Sequence, residues 1–277
     1  MLRTKSVRNL YPIHNFFSLR GFSASTKFRS FEEDAVSFER TVLKRQSARS
    51  FIEKDVPHDV LQHILGLTQR SPSGYNLQPW VAIVINDPEK KNKLHEVCLS
   101  QKKVLEAPIS VIFAANHNVL ENVDEVVRME YESGNWNKEY AERTKRLATT
   151  FLQTGPCHTL QVAKYIFTSI LSYIKPITQA PVNIKAYTWK SAMMAAMTFM
   201  LAASSHNLST HAMEGFDERR LKQLVGLPSH YSIPVVICLG YSDEKENTSS
   251  RLPTDHVYRE NDFEVPMQDI NSFNNKK

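Results

Sequence analysis

The sequence predicts one mixed α/β domain, and three observations carry that reading. Continuous apolar runs at Trp80–Ile85, Pro108–Ala115 and Ile233–Leu239 have the length and β-branched content of buried strands. Segments with apolar residues at helical spacing separate them. No internal repeat and no linker divides the 277 residues, of which 42% are hydrophobic and 23% charged. That composition excludes a disordered or collagen-like chain.

Taken in order, residues 32–46 read as a helix with Phe31, Ala35, Phe38, Val42 and Leu43 near one face. Pro57 suits a first helical position, where its missing N–H costs nothing, and Val60, Leu61, Ile64, Leu65 and Thr68 continue at helical spacing. A polar loop, Ser71 to Pro79, leads into the first strand. Asp87-Pro88 opens another helix, and residues 120–150 are polar, charged and helical in pattern. From Ala163, the residues Ile166, Phe167, Ile170, Leu171 and Ile174 form an amphipathic stripe. This run is too short to span a bilayer and carries Lys164. Packing on the core is the expectation for it, with rest against a membrane surface as the alternative. Residues 191–204 are apolar nearly all round, which predicts a central helix buried on several sides, its methionines filling the core. A strand at Ser209 to Met213 and a helix at Asp217 to Val225 precede the last strand. Residues 255–277 are polar with apolar anchors at Val257, Phe263, Val265 and Met267, the pattern of a tail that frays or wraps a partner.

The formal charge of +5 belongs to one end of the chain. Arg3, Lys5, Arg8, Arg20, Lys27 and Arg29 precede the first acidic residue, Glu32; removing those six from 34 basic residues leaves 28 against 29 acidic ones. A globally basic nucleic-acid binder is thereby excluded. An Arg-rich, acid-free, Ser-bearing start without a continuous apolar centre has the composition of an organelle transit peptide. Arg20-Gly21-Phe22-Ser23 resembles a mitochondrial processing site, so residues 1–22 are expected to be a cleaved mitochondrial presequence and 31–277 the functional domain.

No two of the eight glycines are spaced G-x-G, so neither the dinucleotide fingerprint nor a phosphate loop is present. The three cysteines form no C-x-x-C, and the ten histidines form no H-x-x-x-H; no metal site is expected. Cys157 and His158 are sequence neighbours, whereas a nucleophile–base pair usually joins distant segments.

Four short segments could carry chemistry. Arg45-Gln46-Ser47-Ala48-Arg49 places two guanidinium forks and a hydroxyl where they could surround a phosphate, or it is a solvated helix end. Ser71 to Trp80 is a Pro-bounded loop whose Asn76 and Gln78 amides suit the alternating donors and acceptors of a flavin edge, or it is a plain turn. Glu214-Gly215-Phe216-Asp217 lies between strand and helix, where outward N–H groups stabilise negative charge, and where Asp217 also serves as an N-cap. Arg251, in Ser249 to Pro253, offers a further phosphate contact, or it is an ordinary surface arginine.

Together and in this order the four segments resemble the FMN-dependent nitroreductase family, over about Thr41 to Pro253. Supporting stretches are Trp189-Lys190-Ser191-Ala192, Gly226-Leu227-Pro228 and Pro234 to Tyr241. The resemblance implies an α+β three-layer subunit, a central mixed or antiparallel sheet flanked by helices, and an intertwined homodimer with two FMN sites at its interface. It implies that Arg45, Gln46, Ser47 and Arg49 hold the FMN phosphate with help from Arg251. Pro72, Ser73, Gly74 and Asn76 would approach the flavin from the other subunit. Gly215 and the Glu214 backbone would sit by the ring, and Lys103 at its pyrimidine end. No side chain is assigned as catalytic. Ser100 and Ser249 depart from the family pattern, which often has Asn at the first position and in some members a cation at the second.

The same resemblance implies electron transfer from NADH or NADPH, through FMN, to nitroaromatic or quinone acceptors. The alternatives are a reductive dehalogenase or flavin-cleaving enzyme of the same fold, and a low-turnover flavin-binding protein. Residues 117–188 would form the variable region that shapes access, and 255–277 would reach over the partner.

Overall fold

A computed structural model describes residues 31–155, 159–174, 182–244 and 249–267. The expected presequence, the Cys157–His158 pair and the end of the expected partner-wrapping tail lie outside the described residues. Two units are distinguished, residues 1–39 and 40–277. Of the first, only 31–39 are described, as the opening turns of helix α1 (Phe31–Lys44).

The second unit is built on an antiparallel sheet of β1 (Trp80–Ile85), β2 (Ile109–Asn116), β3 (Ser209–Met213) and β4 (Tyr231–Gly240), in the order β1-β2-β4-β3. Of the mixed or antiparallel arrangement expected, the antiparallel one holds among these strands. Side chains alternate across it, except where the ladder shifts between Ile233 and Val235. Ile109, Val111 and Phe113 of β2, with Val235, Ile237 and Leu239 of β4, pack against α2 (His58–Gln69) and α8 (Ile184–Ser205). Ile112, Ala114, Ile233, Val236 and Cys238 face α3 (Pro88–Val97), α4 (Lys103–Glu106) and α9 (Glu218–Val225). Two apolar faces on one sheet must both be covered, so three layers follow. The rings of Phe113 and Phe199 meet edge-on at 5.7 Å and are fully buried; each such side chain contributes roughly 1.5–3 kcal/mol by leaving water.

Pro234 sits inside β4, buried from Ser232 to Gly240, where a proline removes a ladder donor. The strand accommodates it with a register shift opposite Phe113 and Ala115. The neighbouring Ile233 N–H donates instead to Glu218 Oε1, at 2.9 Å, from the first turn of α9.

Several expectations are corrected. β1 is not a buried strand: only Ile85 is buried, because β1 is the sheet edge and pairs with β2 alone. The charged stretch 120–150 is helical as expected, in two pieces, α5 (Val123–Glu132) and α6 (Lys138–Leu152), the second capped by the Asn137 side chain. Pro57 is the N-cap of α2 rather than its first residue. The amphipathic stripe does not pack on the core. It lies on α7 (Thr159–Ser172) and the turn after it, and Ile166, Phe167, Ile170 and Ile174 are all more than half exposed. Central helix α8 buries Ala192, Ala195, Ala196 and Phe199, and Met193 and Met200 pack against that core. Met194 and Met197 are exposed, so the methionines are only in part core filling. Among the described residues no helix is long and apolar enough to cross a membrane.

Candidate functional site

The first group of site residues gathers at the β3 edge of the sheet. α1 ends at Lys44, and the chain then lies alongside β3 through a parallel bridge, Ser47 to Thr210, with Ala48 N–H donating to the Thr210 carbonyl at 3.0 Å. Ala48 is buried there, which turns Ser47 and Arg49 outward on either side of it. Arg45 and Gln46 are half-buried. Burial, and next the positive charge of Arg251, lower the Arg45 pKa from its ordinary value. Two residues separated by most of the chain are thus neighbours. The Arg251 guanidinium also donates to the Ser249 and Ser250 carbonyls at 3.2 and 3.0 Å, curling this turn around itself. Behind the arginine segment, Glu244 Oε1 accepts from the Arg49 and Ser50 N–H groups and the Ser50 hydroxyl, at 2.7, 2.6 and 3.0 Å.

Lys103 opens α4 beside β3. Burial, then the charges of Lys103, hold the His211 imidazole below its ordinary pKa, against the opposing pull of the Ala48 backbone and Glu244. His211 Nδ1 is buried without a hydrogen-bond partner. Gly215 follows β3, and Gln101 Nε2 donates to its carbonyl at 3.0 Å. A Cβ at Gly215 would lie 3.4 Å from that nitrogen and 3.6 Å from Leu99 Cδ1, at ordinary contact distance. Glu214 is exposed. Asp217 caps α9 by accepting from Arg220 N–H at 3.0 Å. The expectation that all amides of this turn face outward is corrected at one position: the Asp217 N–H donates to the Val97 carbonyl at 3.0 Å.

Pro72, Ser73, Gly74 and Asn76 lie elsewhere, in the loop that enters β1 at the opposite edge of the sheet. Three strand spacings separate the two edges, about 14 Å. Tyr75, Asn76 and Gln78 all adopt left-handed backbone, with φ of 54°, 55° and 46°. Asn tolerates this well, but Tyr and Gln do not, and each such residue costs on the order of 1–3 kcal/mol. The loop is held by its surroundings. Ser73 Oγ accepts from Gln78 N–H at 2.8 Å, the Tyr187 hydroxyl donates to the Gly74 carbonyl at 2.8 Å, and Asn122 Nδ2 donates to the Leu77 carbonyl at 3.0 Å. Burial raises the Tyr187 phenol to about 12, so it remains a donor.

Two cavities lie away from the arginines. One of about 630 Å³ is lined by His117, Lys185, Arg219, Lys222 and Tyr231 among others, and by none of the sequence-predicted site residues. The other, about 490 Å³, lies beside the 71–79 loop and is lined by Gln78, Trp80, Asn122 and Met129.

The β3-edge group has the donor set of a phosphate-bearing flavin. Paired guanidinium groups, one partly desolvated, are held at a cost that a phosphate dianion relieves with bidentate bonds. Gln101 donates beside Gly215, and Lys103 adds a positive charge near His211 on the same edge. Sequence reasoning missed Gln101, Tyr187, His211, Glu130 and Glu244. Each acts by touching a segment distant in sequence, so no local pattern announces it.

Residues 42–241 match the family described as Nitroreductase family. A NADH dehydrogenase of Thermus thermophilus is 32% identical over 216 residues, which are 78% of this chain and 91% of that protein. A 4-nitrobenzoate reductase of a Nocardioides strain is 25% identical over 243 residues, 80% of this chain and 89% of that one. A chain from Exiguobacterium sibiricum solved in complex with FMN superposes with a TM-score of 0.66 at 18% identity, covering 80% of this chain and 95% of its own.

Proposed function

The chain belongs to the nitroreductase family, as an FMN-dependent oxidoreductase with NAD(P)H as its electron donor, and from that premise we propose that it reduces nitroaromatic or quinone acceptors at an FMN site shared between two copies of the chain. The observation that carries this reading is the convergence of Arg45, Arg251, Lys103 and Gly215 on one sheet edge, with the 72–76 loop on the other. Within one chain the two groups cannot close on one ring. Family members are typically homodimers, and a second copy brings its loop to the first copy's arginines.

Bound FMN supplies hydride acceptance from the nicotinamide and electron delivery to the acceptor. Arg45, Gln46, Ser47 and Arg49, with help from Arg251, would hold the phosphate. Gln101 fixes the Gly215 turn, which would sit by the ring, and Lys103 would offer its charge to the negative charge that reduction brings. No side chain at the β3 edge is placed as a dedicated proton donor, and solvent serves that role. Flat, electron-poor acceptors suit a site that works by stacking, and the name of the 4-nitrobenzoate reductase supports the nitroaromatic class. Residues 1–22 direct the chain to mitochondria, which a fluorescent fusion lacking them tests by losing that address.

The test is an absorption spectrum of purified residues 23–277, repeated anaerobically with NADH or NADPH. A flavin band that bleaches and then returns on adding a quinone or nitroarene supports the assignment. A band that neither nucleotide bleaches overturns it in favour of a flavin-binding protein of low turnover.

A further inference from the structure

Glu130 lies on α5, at least 50 residues from every residue read as touching FMN in the loop segment, yet its carboxylate reaches that loop. Oε1 accepts from Asn76 Nδ2 at 2.6 Å, and Oε2 accepts from Asn135 Nδ2 at 2.9 Å. The residue is half-buried, and no lysine or arginine lies within ion-pair distance of it among the described residues. Among the described residues its two oxygens are answered by two side-chain amides and by no cation. The Asn76 amide is constrained from its other end too. Gln78 Nε2 donates to the Asn76 carbonyl and to Asn76 Oδ1, at 3.1 and 3.2 Å.

Counting donors and acceptors gives this cluster a direction. An asparagine amide has two N–H donors and one oxygen. Glu130 takes one N–H, and Gln78 occupies the oxygen. The side chain is therefore locked in one orientation with a single N–H left over, on a loop segment whose left-handed residues have no glycine to ease them. We infer that Glu130 is a positioning residue for the flavin site: through its bond to Asn76 it aims that remaining N–H at an acceptor on the edge of the FMN ring carried by the other subunit. This inference rests on the reading that the 72–76 loop faces the partner's flavin. It extends that reading by assigning a role to a residue of the variable 117–188 region, remote from the arginine segment.

The test compares Asn76→Ala, Glu130→Ala, Glu130→Gln and the double variant Asn76→Ala/Glu130→Ala. FMN affinity is read by quenching of flavin fluorescence on titrating flavin-free protein, and the midpoint potential of bound FMN by dye equilibration. Glu130→Gln keeps the shape, and its remaining amide oxygen can still accept from Asn76, so it separates loss of that bond from a simple packing loss in the alanine variant. The expected result is weaker FMN binding in each alanine variant, by about 3- to 10-fold, as for loss of one hydrogen bond, with Glu130→Gln closer to the parent than Glu130→Ala. The midpoint potential shifts in the same direction in all of them, and the double variant is no worse than Asn76→Ala alone. A Glu130→Ala variant with unchanged affinity and potential, while Asn76→Ala alters both, overturns the inference and leaves the site intact. Additive losses in the double variant overturn it as well. An Asn76→Ala protein indistinguishable from the parent overturns the placement of the loop at the flavin, and this inference with it.

Discussion

Arg45 is where the chemistry of a single side chain is easiest to weigh. A charge-assisted hydrogen bond contributes about 1.5–3 kcal/mol, so Arg45→Ala is expected to weaken FMN binding roughly 10- to 100-fold while far-UV circular dichroism stays unchanged. Equal flavin content in variant and parent contradicts the phosphate assignment. Two histidines lower stability as the pH falls. His117 and His211 are both held below the ordinary imidazole pKa, chiefly by burial and then by nearby lysines. The unfolded chain, titrating near about 6.5, then takes up protons first as pH falls, so the stability these groups lend is present above that pH and lost below it. Melting temperature should drop between pH 7.5 and 5.5, and less steeply in His211→Gln; an identical slope in the variant contradicts this origin. Burial raises the thiols of Cys98 and Cys238 to about 12 and about 11. A thiol reagent at pH 8 should therefore label at most Cys157 in the folded protein, and rapid labelling of three thiols contradicts that burial. Of these residues, Arg45 was legible in the sequence because two arginines and a hydroxyl fall within five positions. His211 was not, since its neighbours Lys103 and Ala48 come from distant segments.

Elements were legible where their signal is local. The apolar runs became β1, β2 and β4 within two residues of the expected bounds, and Asp87 and Asp217 cap α3 and α9 as their positions suggest. Removing the second cap in Asp217→Ala should cost about 1 kcal/mol, read as a lower denaturation midpoint; no change contradicts the capping role. Gly240, at the end of β4, is a packing requirement: a Cβ there would lie 2.6 Å from Pro108 Cδ and 3.0 Å from Phe51 Cδ1. Gly240→Ala is expected to destabilise by roughly 1–3 kcal/mol through overpacking, and a variant as stable as the parent contradicts it. What the sequence did not disclose is which strand lies at an edge. An apolar run reads the same for β1 and β2, and only pairing between distant strands decides that one is covered and the other is not. The left-handed turn was equally hidden, because Tyr75 and Gln78 are not residues that signal such backbone; Ser73, Tyr187 and Asn122 hold the loop from outside. The α7 stripe was read correctly as amphipathic and wrongly as core-facing, since periodicity gives the apolar face but not what covers it.

For the whole molecule, the decisive feature is the separation of the two site groups on opposite edges of one sheet. Strand order β1-β2-β4-β3 places the 45–49 segment beside β3 and the 71–79 loop at the start of β1. Under the proposed function such a chain would complete its site by pairing, and it carries exposed apolar surface suited to that. Met194 and Met197 on α8 and Val257, Phe263, Val265 and Met267 on the tail all lack cover in the single chain. The ordered motifs made the family legible over residues 42–241. The composite site came with the resemblance rather than from any spacing, because Arg45 and Arg251 meet only in the folded chain. The measurement that tests the shared site most directly mixes two defective chains, Arg45→Ala and Asn76→Ala, lets their subunits exchange, and titrates the heterodimer with FMN. If each site takes its arginines from one copy and its loop from the other, one of the heterodimer's two sites carries both defects and the other carries neither. Half the sites should then bind FMN with the parent's affinity. If each site is built within one chain, every heterodimer site keeps one defect, and recovery of no parent-like sites would contradict the shared arrangement.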